Sequence, residues 1–460
     1  MTATPFGRLR RAPLLLLGLA LCSPGAAAAA DGSQPHPDVP GVKKPWDDPA
    51  LLADPAKREA LEFTDLFDRH DAKPPLWLRC FEQHPDWRGH PEKLPPSLLL
   101  GDLLFHAPSI LGRRAATFGI SCASCHPSGS TSPDVNVGTQ SDRDGNVDML
   151  SDYFTPLADD GVFNPRNVPS LRGARATGPY GHGGAVGSLP EFVDHVIGFE
   201  LAAPALRTEW RSALVFYLEQ LDFLPNPKLD ALGRLTAQAS PLAHQGEPLF
   251  RQARQELGGL SCASCHVPEA LFTDRRSHAL HHGLHFAGAT ETFDTPSLLN
   301  LAETAPYFYD GSADTIAQAV AQIDQRHGLA LSEDERSQLS AYLEAVGAVP
   351  EGRSVPRLVE QVRRPAAYLG LLLTGPMAED AAVWSAALDT ARHLLRGLQR
   401  HAPEPLPIAL REAIDAFLAF EVDPSHRIPT AANRSAISSL RGKLLHAVPA
   451  GPAALTRTAR

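Results

Sequence analysis

Apolar positions fall at helical spacing in two stretches that resemble each other. Residues 98–111 carry the pattern Leu-Gly-x-x-Leu-Phe at Leu100–Phe105 and predict a helix leading into Ile120-Ser121. Gly246-Glu247-Pro248-Leu249-Phe250 opens a second such helix ahead of Leu260-Ser261. Each stretch also closes alike, with amphipathic helices ending in Phe-Tyr-Leu-Glu (216–219) and Ala-Tyr-Leu-Glu (341–344), the second begun by the capping-box pattern Ser332-x-x-Glu335. Beyond 350 the pattern predicts helices over 355–373, 381–400 and 406–420, separated by Pro-rich turns. The segment 367–373 is apolar but too short to span a membrane, and it reads as packing on the domains before it or as a docking surface.

The two halves share more than their ends. Val168-Pro169-Ser170-Leu171 with Gly178-Pro179-Tyr180 matches Thr295-Pro296-Ser297-Leu298 with Ala305-Pro306-Tyr307 at a constant offset of 127. That register sets His182 against Tyr309, Glu191 against Gln318 and Val196 against Ile323. At the centre of each half stands one pentapeptide, Cys122-Ala123-Ser124-Cys125-His126 and Cys262-Ala263-Ser264-Cys265-His266, placed 140 positions apart. C-x-x-C-H is the attachment signature of a c-type haem, whose vinyl groups take the two thiols and whose iron takes the His nitrogen. A thioredoxin-like redox pair or half of a zinc site also uses C-x-x-C, but neither needs a His after the second Cys twice over.

The expected fold is therefore all-α: two tandem cytochrome c-type haem domains, 98–230 and 231–350, with a helical C-terminal extension, 351–460. Residues 31–97, rich in Pro, read as an irregular and helical lead-in. Residues 1–30, with Arg8, Arg10 and Arg11 ahead of an apolar run and then small residues, read as a cleaved signal peptide, with an uncleaved anchor as the alternative. Export agrees with the chemistry, because bacteria attach haem c outside the inner membrane, and it predicts a periplasmic protein. Of six Cys, one lies in the signal and four in the motifs, leaving Cys80 as a small hydrophobe. Formal net charge is −10, or −13 once the three signal arginines are removed. That excludes nucleic acid and points to a basic or strongly dipolar protein partner.

Taken together, the twin C-x-x-C-H motifs, Pro165-Arg166-Asn167-x-Pro169-Ser170-Leu171 and Thr295-Pro296-Ser297-Leu298 through Ala305-Pro306-Tyr307-Phe308-Tyr309-Asp310-Gly311 resemble the bacterial di-haem cytochrome c peroxidase superfamily, MauG-like enzymes included. The resemblance spans about residues 98–347. It implies a peroxidatic N-terminal haem, an electron-storing C-terminal haem, and calcium between the domains. The first half has a loop longer by 13 residues between its His and its Pro-Ser-Leu element, holding Asp142-Arg143-Asp144-Gly145-Asn146-Val147-Asp148. Its Gly falls one place too early for an EF-hand, so a solvated polar loop is the other reading.

The same resemblance assigns site residues. His126 and His266 are the proximal iron ligands. Glu191 falls, with one residue of slippage, at the distal acid–base, although Ser188-Leu189-Pro190-Glu191 is also a capping box. His182 reads as a reversible sixth ligand, a distal polar group or a loop residue, and His195 as a further ligand candidate. No His lies between Pro127 and Gly181, so the family's detachable ligand is missing. The family's methionine ligand aligns with Ile323, and the chain has only Met1, Met149 and Met377. The remaining donors for the second haem are Tyr307, Tyr309, His327, His278, His281, His282 and His285. The family's inter-haem Trp aligns near Gly161, with Phe163 the nearest aromatic. The expected reaction is reduction of hydrogen peroxide with electrons from a small c-type cytochrome or cupredoxin. The alternatives are a MauG-like oxidation of Trp or Tyr on a partner, and a non-catalytic electron-transfer cytochrome.

Overall fold

The computed structural model describes residues 33–34, 91 and 94–448, apart from 134, 138–139, 152–153, 156, 280–291, 350–356 and 402–405. The signal segment, Cys80, His281, His282 and His285 lie outside the described residues. The chain is mostly helical, as its pattern predicts, with five short strands that the pattern does not. No described helix is long and apolar enough to cross a membrane.

In the first half, α1 (Pro96–Phe105), α2 (Gly112–Phe118), α3 (Cys122–Cys125), α4 (Ala174–Thr177), α5 (Leu189–His195) and α6 (Thr208–Glu219) follow in order. The second half has α7 (Pro241–Arg251), α8 (Cys262–Cys265), α9 (Ile316–His327) and α10 (Glu333–Val346). Helix α1 packs on α6, and α7 packs on α10 in the same way. The glycine in each Gly-x-x-Leu-Phe pattern explains how. A Cβ on Gly101 would lie 2.2 Å from the Ala213 carbonyl oxygen, and one on Gly246 would lie 2.0 Å from that of Gln338. Only glycine lets these backbones meet so closely. One turn later Phe105 stacks on Tyr217 at 5.1 Å and Phe250 on Tyr342 at 5.0 Å, and both tyrosines are fully buried.

The tyrosines of the two Pro-Tyr pairs are equivalent as well. Tyr180 donates its hydroxyl to the Ala174 carbonyl at 2.7 Å, and Tyr307 donates to Leu301 at 2.9 Å, each six residues back. The Tyr307 hydroxyl, one of the ligand candidates, is thereby bonded to the backbone.

The extension holds α11 (Arg357–Leu371), α12 (Ala381–His401), α13 (Ile408–Glu421) and α14 (Ala431–Ala447), the last unforeseen in the sequence. Ala367, Tyr368, Leu369 and Leu372 are buried in one hydrophobic core shared with α1 and α6. This apolar run is a packing surface between the extension and the first half. Asp102, fully buried on α1, forms an ion pair with Arg364 and accepts a hydrogen bond from the Tyr368 hydroxyl at 2.9 Å.

Candidate haem sites

Each C-x-x-C is a single helical turn with the same cap. The Ser121 amide donates to Ser124 Oγ at 3.0 Å and the Ser261 amide to Ser264 Oγ at 3.0 Å, closing a capping box on both turns. The serine inside C-A-S-C-H is thus structural, a role the sequence reading missed. All four cysteines are free thiols. Burial pushes Cys122 up to about 12 and Cys125 up to about 11, so these sulfurs are neutral.

The following histidines are half-buried. Burial lowers His126 to about 4, against which the Pro169 carbonyl favours the proton, although His126 Nδ1 completes no hydrogen bond. His266 Nδ1 lies 3.2 Å from the Phe272 carbonyl oxygen, and the Pro296 carbonyl acts on it too. Pro169 and Pro296 are the prolines of the repeated Pro-Ser-Leu element. A carbonyl facing Nδ1 favours the tautomer whose Nε2 lone pair is open to a metal.

The halves meet in an exchanged pattern. Strands β2 (Asn146–Val147) and β3 (Arg166–Asn167) pair antiparallel in the first half, and β4 (Ser277–Ala279) and β5 (Thr292–Asp294) in the second; β1 (Ser33–Gln34) extends the latter sheet. The Asn167 amide donates to the Tyr309 carbonyl at 2.7 Å, and its equivalent Asp294 donates to the His182 carbonyl at 2.8 Å. Likewise Asn146 Nδ2 donates to the Asp310 carbonyl at 3.2 Å and Ser277 Oγ to that of Gly183 at 2.8 Å. Each half therefore lays its hairpin on the other's post-Pro-Tyr loop, an isologous interface inside one chain.

His182 and Tyr309 occupy equivalent places there and behave differently. His182 Nε2 donates to the Asn167 carbonyl at 2.9 Å, and burial together with the Arg166 charge lowers it to about 4. The ring is neutral, with Nδ1 as its lone-pair nitrogen. Tyr309 instead packs at a tilt against Phe293, ring centroids 4.7 Å apart, with the Arg166 guanidinium 5.3 Å over its ring.

Glu191 is exposed on the first turn of α5. Its amide donates to Ser188 Oγ at 3.4 Å, but the reciprocal bond of a full box is not made. Its equivalent Gln318 does close one, accepting from the amides of Thr315 at 3.2 Å and Asp314 at 2.7 Å. His195 stacks between Phe192 and Phe199 and lies 3.6 Å from Glu200. Glu200 ends a π-helical turn, Val196–Glu200, and burial pushes its carboxyl up to about 7. Nothing in the sequence marked Glu200, because a π-turn leaves no local signature.

The edges of the two motifs differ. Cys125 packs among Val147, Phe154 and Val168. In strand register His278 replaces Val147, and the ligand atoms of Cys265, Asp274 and His278 lie within 4.8 Å of one another. His278 Nε2 bonds Asp274 Oδ2 at 2.7 Å, and this bond leads in holding His278 up to about 10. Asp294 beside them is pushed up to about 8, chiefly by burial. In the polar loop, Asp142 accepts from Asn146 at 2.6 Å, Asp144 from Asn136 at 2.8 Å, and Asp148 from two backbone amides. Gly161 stands in open space and Phe163 is exposed, so neither supplies an aromatic between the halves.

The donor set fits haem c. Two free thiols on one turn, followed by a half-buried imidazole whose Nδ1 is orphaned or faces carbonyls, suit thioether attachment and iron ligation by Nε2. This defines the class: a c-type haem protein built on an internal repeat.

Residues 243–362 match the family model for di-haem cytochrome c peroxidase. That match covers the second half and the start of the extension. The gamma subunit of hydrazine synthase from Kuenenia stuttgartiensis is 26% identical over 281 residues, 49% of this chain and 72% of that protein. Among solved structures, xenon-pressurised hydrazine synthase from Kuenenia stuttgartiensis aligns at a TM-score of 0.37 and 22% identity, over 53% of this chain and 85% of that one. A MauG-like protein associated with microbial copper homeostasis aligns at 0.39 and 20%, over 57% and 91%.

Proposed function

We propose that this chain is a periplasmic di-haem peroxidase, with one haem c held by Cys122, Cys125 and His126 and the other by Cys262, Cys265 and His266. Bound haem supplies an iron that accepts electrons and binds peroxide. Reduction of one hydrogen peroxide to two waters consumes two electrons and two protons, which a small c-type cytochrome or cupredoxin and the solvent provide. The first half handles peroxide and the second passes electrons. Calcium between the domains, implied by the resemblance, remains part of this proposal.

The observation that carries this reading is the contrast between Glu191 and Gln318. Gln318 is committed to its helix cap, whereas the Glu191 carboxylate accepts no hydrogen bond among the described residues. A carboxylate left free at the family's distal position can take a proton from one peroxide oxygen and return it to the other. Glu191→Gln is expected to slow the reaction with peroxide by about 10²-fold or more. An unchanged rate with a small loss of stability leaves Glu191 as a helix residue only.

One observation favours the MauG-like reading. Ile323 sits where the family places methionine and packs on the second half's core, while Met149 packs in the first half and Met377 on the extension. No methionine is among the described residues packed on the second half's core, and this supports a protein-oxidising role as the second proposal. Electron paramagnetic resonance with no high-spin ferric signal, in both the oxidised and half-reduced protein, would leave only the electron-transfer cytochrome.

A further inference from the structure

The hairpin loop between β2 and β3 holds three large apolar side chains in solvent: Leu157 is 64% exposed, Val162 56% and Phe163 58%. The loop is rigidly made. Asp159 Oδ1 accepts from the Gly161 amide at 3.0 Å and Asp160 Oδ1 from that of Val162 at 2.9 Å. Its base is tied by Asp148 Oδ2 accepting from the Asn164 amide at 3.3 Å and by the Asp160 amide donating to the Leu150 carbonyl at 3.1 Å. Exposure of this kind on a preorganised loop marks a contact surface.

Charge narrows the occupant. Of the acids in 141–165, Asp142, Asp144, Asp159 and Asp160 are exposed beside a single Arg143, a local net −3 among the described side chains. Such a surface repels nucleic acid, anionic lipid and a second copy of itself. It suits a protein that presents an apolar patch ringed by Lys and Arg. Position narrows it further. Three residues after Phe163, Arg166 lies 5.3 Å over Tyr309 and 6.0 Å over Phe293, at the seam between the halves.

We infer that the 157–163 loop is the docking surface for a small basic redox protein, apolar contacts supplying affinity and the acids supplying approach. This rests on the proposed exchange of electrons with a partner protein. Small wet interfaces with a charged rim are typical of such transient encounters.

The test uses the haem-loaded full chain and a small basic c-type cytochrome as probe. Binding is followed by NMR line broadening of the cytochrome, independently of turnover. Phe163→Ser is expected to weaken binding by about tenfold or more, as for loss of a central anchor. Asp159→Asn with Asp160→Asn keeps the turn oxygens, and it should flatten the salt dependence of the association rate. Peroxide reduction with a small-molecule electron donor should be unchanged in both variants. Binding that is absent in the wild type at low salt, or untouched by the substitutions, overturns the inference. So does a wild-type dimer that Phe163→Ser dissociates. Failure of the wild type with the small-molecule donor overturns the peroxidase reading instead, while the binding data still decide the docking surface.

Discussion

Arg364→Met isolates the contact that fastens the extension to the first half. Asp102 is wholly buried, the Arg364 side chain is 11% exposed, and Tyr368 is wholly buried. Removing the guanidinium leaves the buried carboxylate with the Tyr368 hydroxyl at 2.9 Å and His106 Nδ1 at 3.5 Å still beside it, neither carrying the fixed charge of an Arg. Breaking a buried pair on one side costs about 3–5 kcal/mol, most of it the unpaired charge. The intact pair is worth far less, because both ions lost their water on burial. Asp102→Leu combined with Arg364→Met should therefore recover most of that loss. Urea unfolding of the haem-loaded protein, followed by far-UV circular dichroism and by the Soret band, measures both. The single variant should lose its effect only weakly with added salt, since solvent ions cannot reach the pair. A single-variant loss below about 1 kcal/mol, the range of a surface pair, would refute the burial argument. A double variant no better than the single would refute the assignment of the cost to the stranded charge.

Three further outcomes follow from the same geometry. Glu200 has its proton held up to about 7 in the folded protein and an ordinary carboxyl range when unfolded, so folding binds protons between about 4.5 and 7 and its contribution to stability falls as pH rises through that window. Glu200→Gln should flatten the stability profile there, by about 3 kcal/mol at most, read from unfolding midpoints at successive pH values. Gly246→Ala should destabilise by about 1–3 kcal/mol through overpacking against Gln338, with Gly101→Ala matching it in the first half; a change under about 0.5 kcal/mol in both would mean that the helices can separate freely. Cys262→Ser with Cys265→Ser should leave one covalent haem by intact mass, with the first half still loaded, because each motif turn carries its own cap.

Much of the fold was legible because the repeat constrains it twice. Gly-x-x-Leu-Phe, C-A-S-C-H, Pro-Ser-Leu and Pro-Tyr each turned out to mark one contact: a helix crossing, a capped turn, a carbonyl against the proximal ring, and a tyrosine hydroxyl closed onto the backbone. What was not legible depends on partners distant in sequence. The hairpins lack strand-like alternation, since strands of two or three residues are held by the opposite half rather than by their own pattern. The capping box read at Ser188–Glu191 forms only halfway, and spacing cannot tell a used carboxylate from a free one. Helix α14 was hidden by a polar run whose apolar residues, Ile437, Leu440 and Leu444, are few but fully used.

The exchanged hydrogen bonds carry the argument about function one step further. Because Asn167 and Asp294 hold equivalent carbonyls in opposite halves, the backbone at the seam is close to two-fold, and so are the capped motif turns. A symmetric frame by itself would make two equivalent haem sites. The differences are side-chain substitutions at matched backbone positions: His182 for Tyr309, Glu191 for Gln318, Val147 for His278 and Arg166 for Phe293. The first-half members are a neutral ring, a carboxylate outside its cap, an apolar edge and a guanidinium, and the second half has at the same places a phenol packed against Phe293, a spent amide, a charged dyad and that phenyl ring. On the proposed reading, one iron reacts with peroxide and the other stores charge, and these four side chains would supply that inequality without disturbing the frame. Exchanging single members should then alter one site at a time. Glu191→Gln should silence peroxide chemistry and leave the spectrum of the second haem unchanged; a shift in both spectra would show that the frame, and not the side chain, sets the difference.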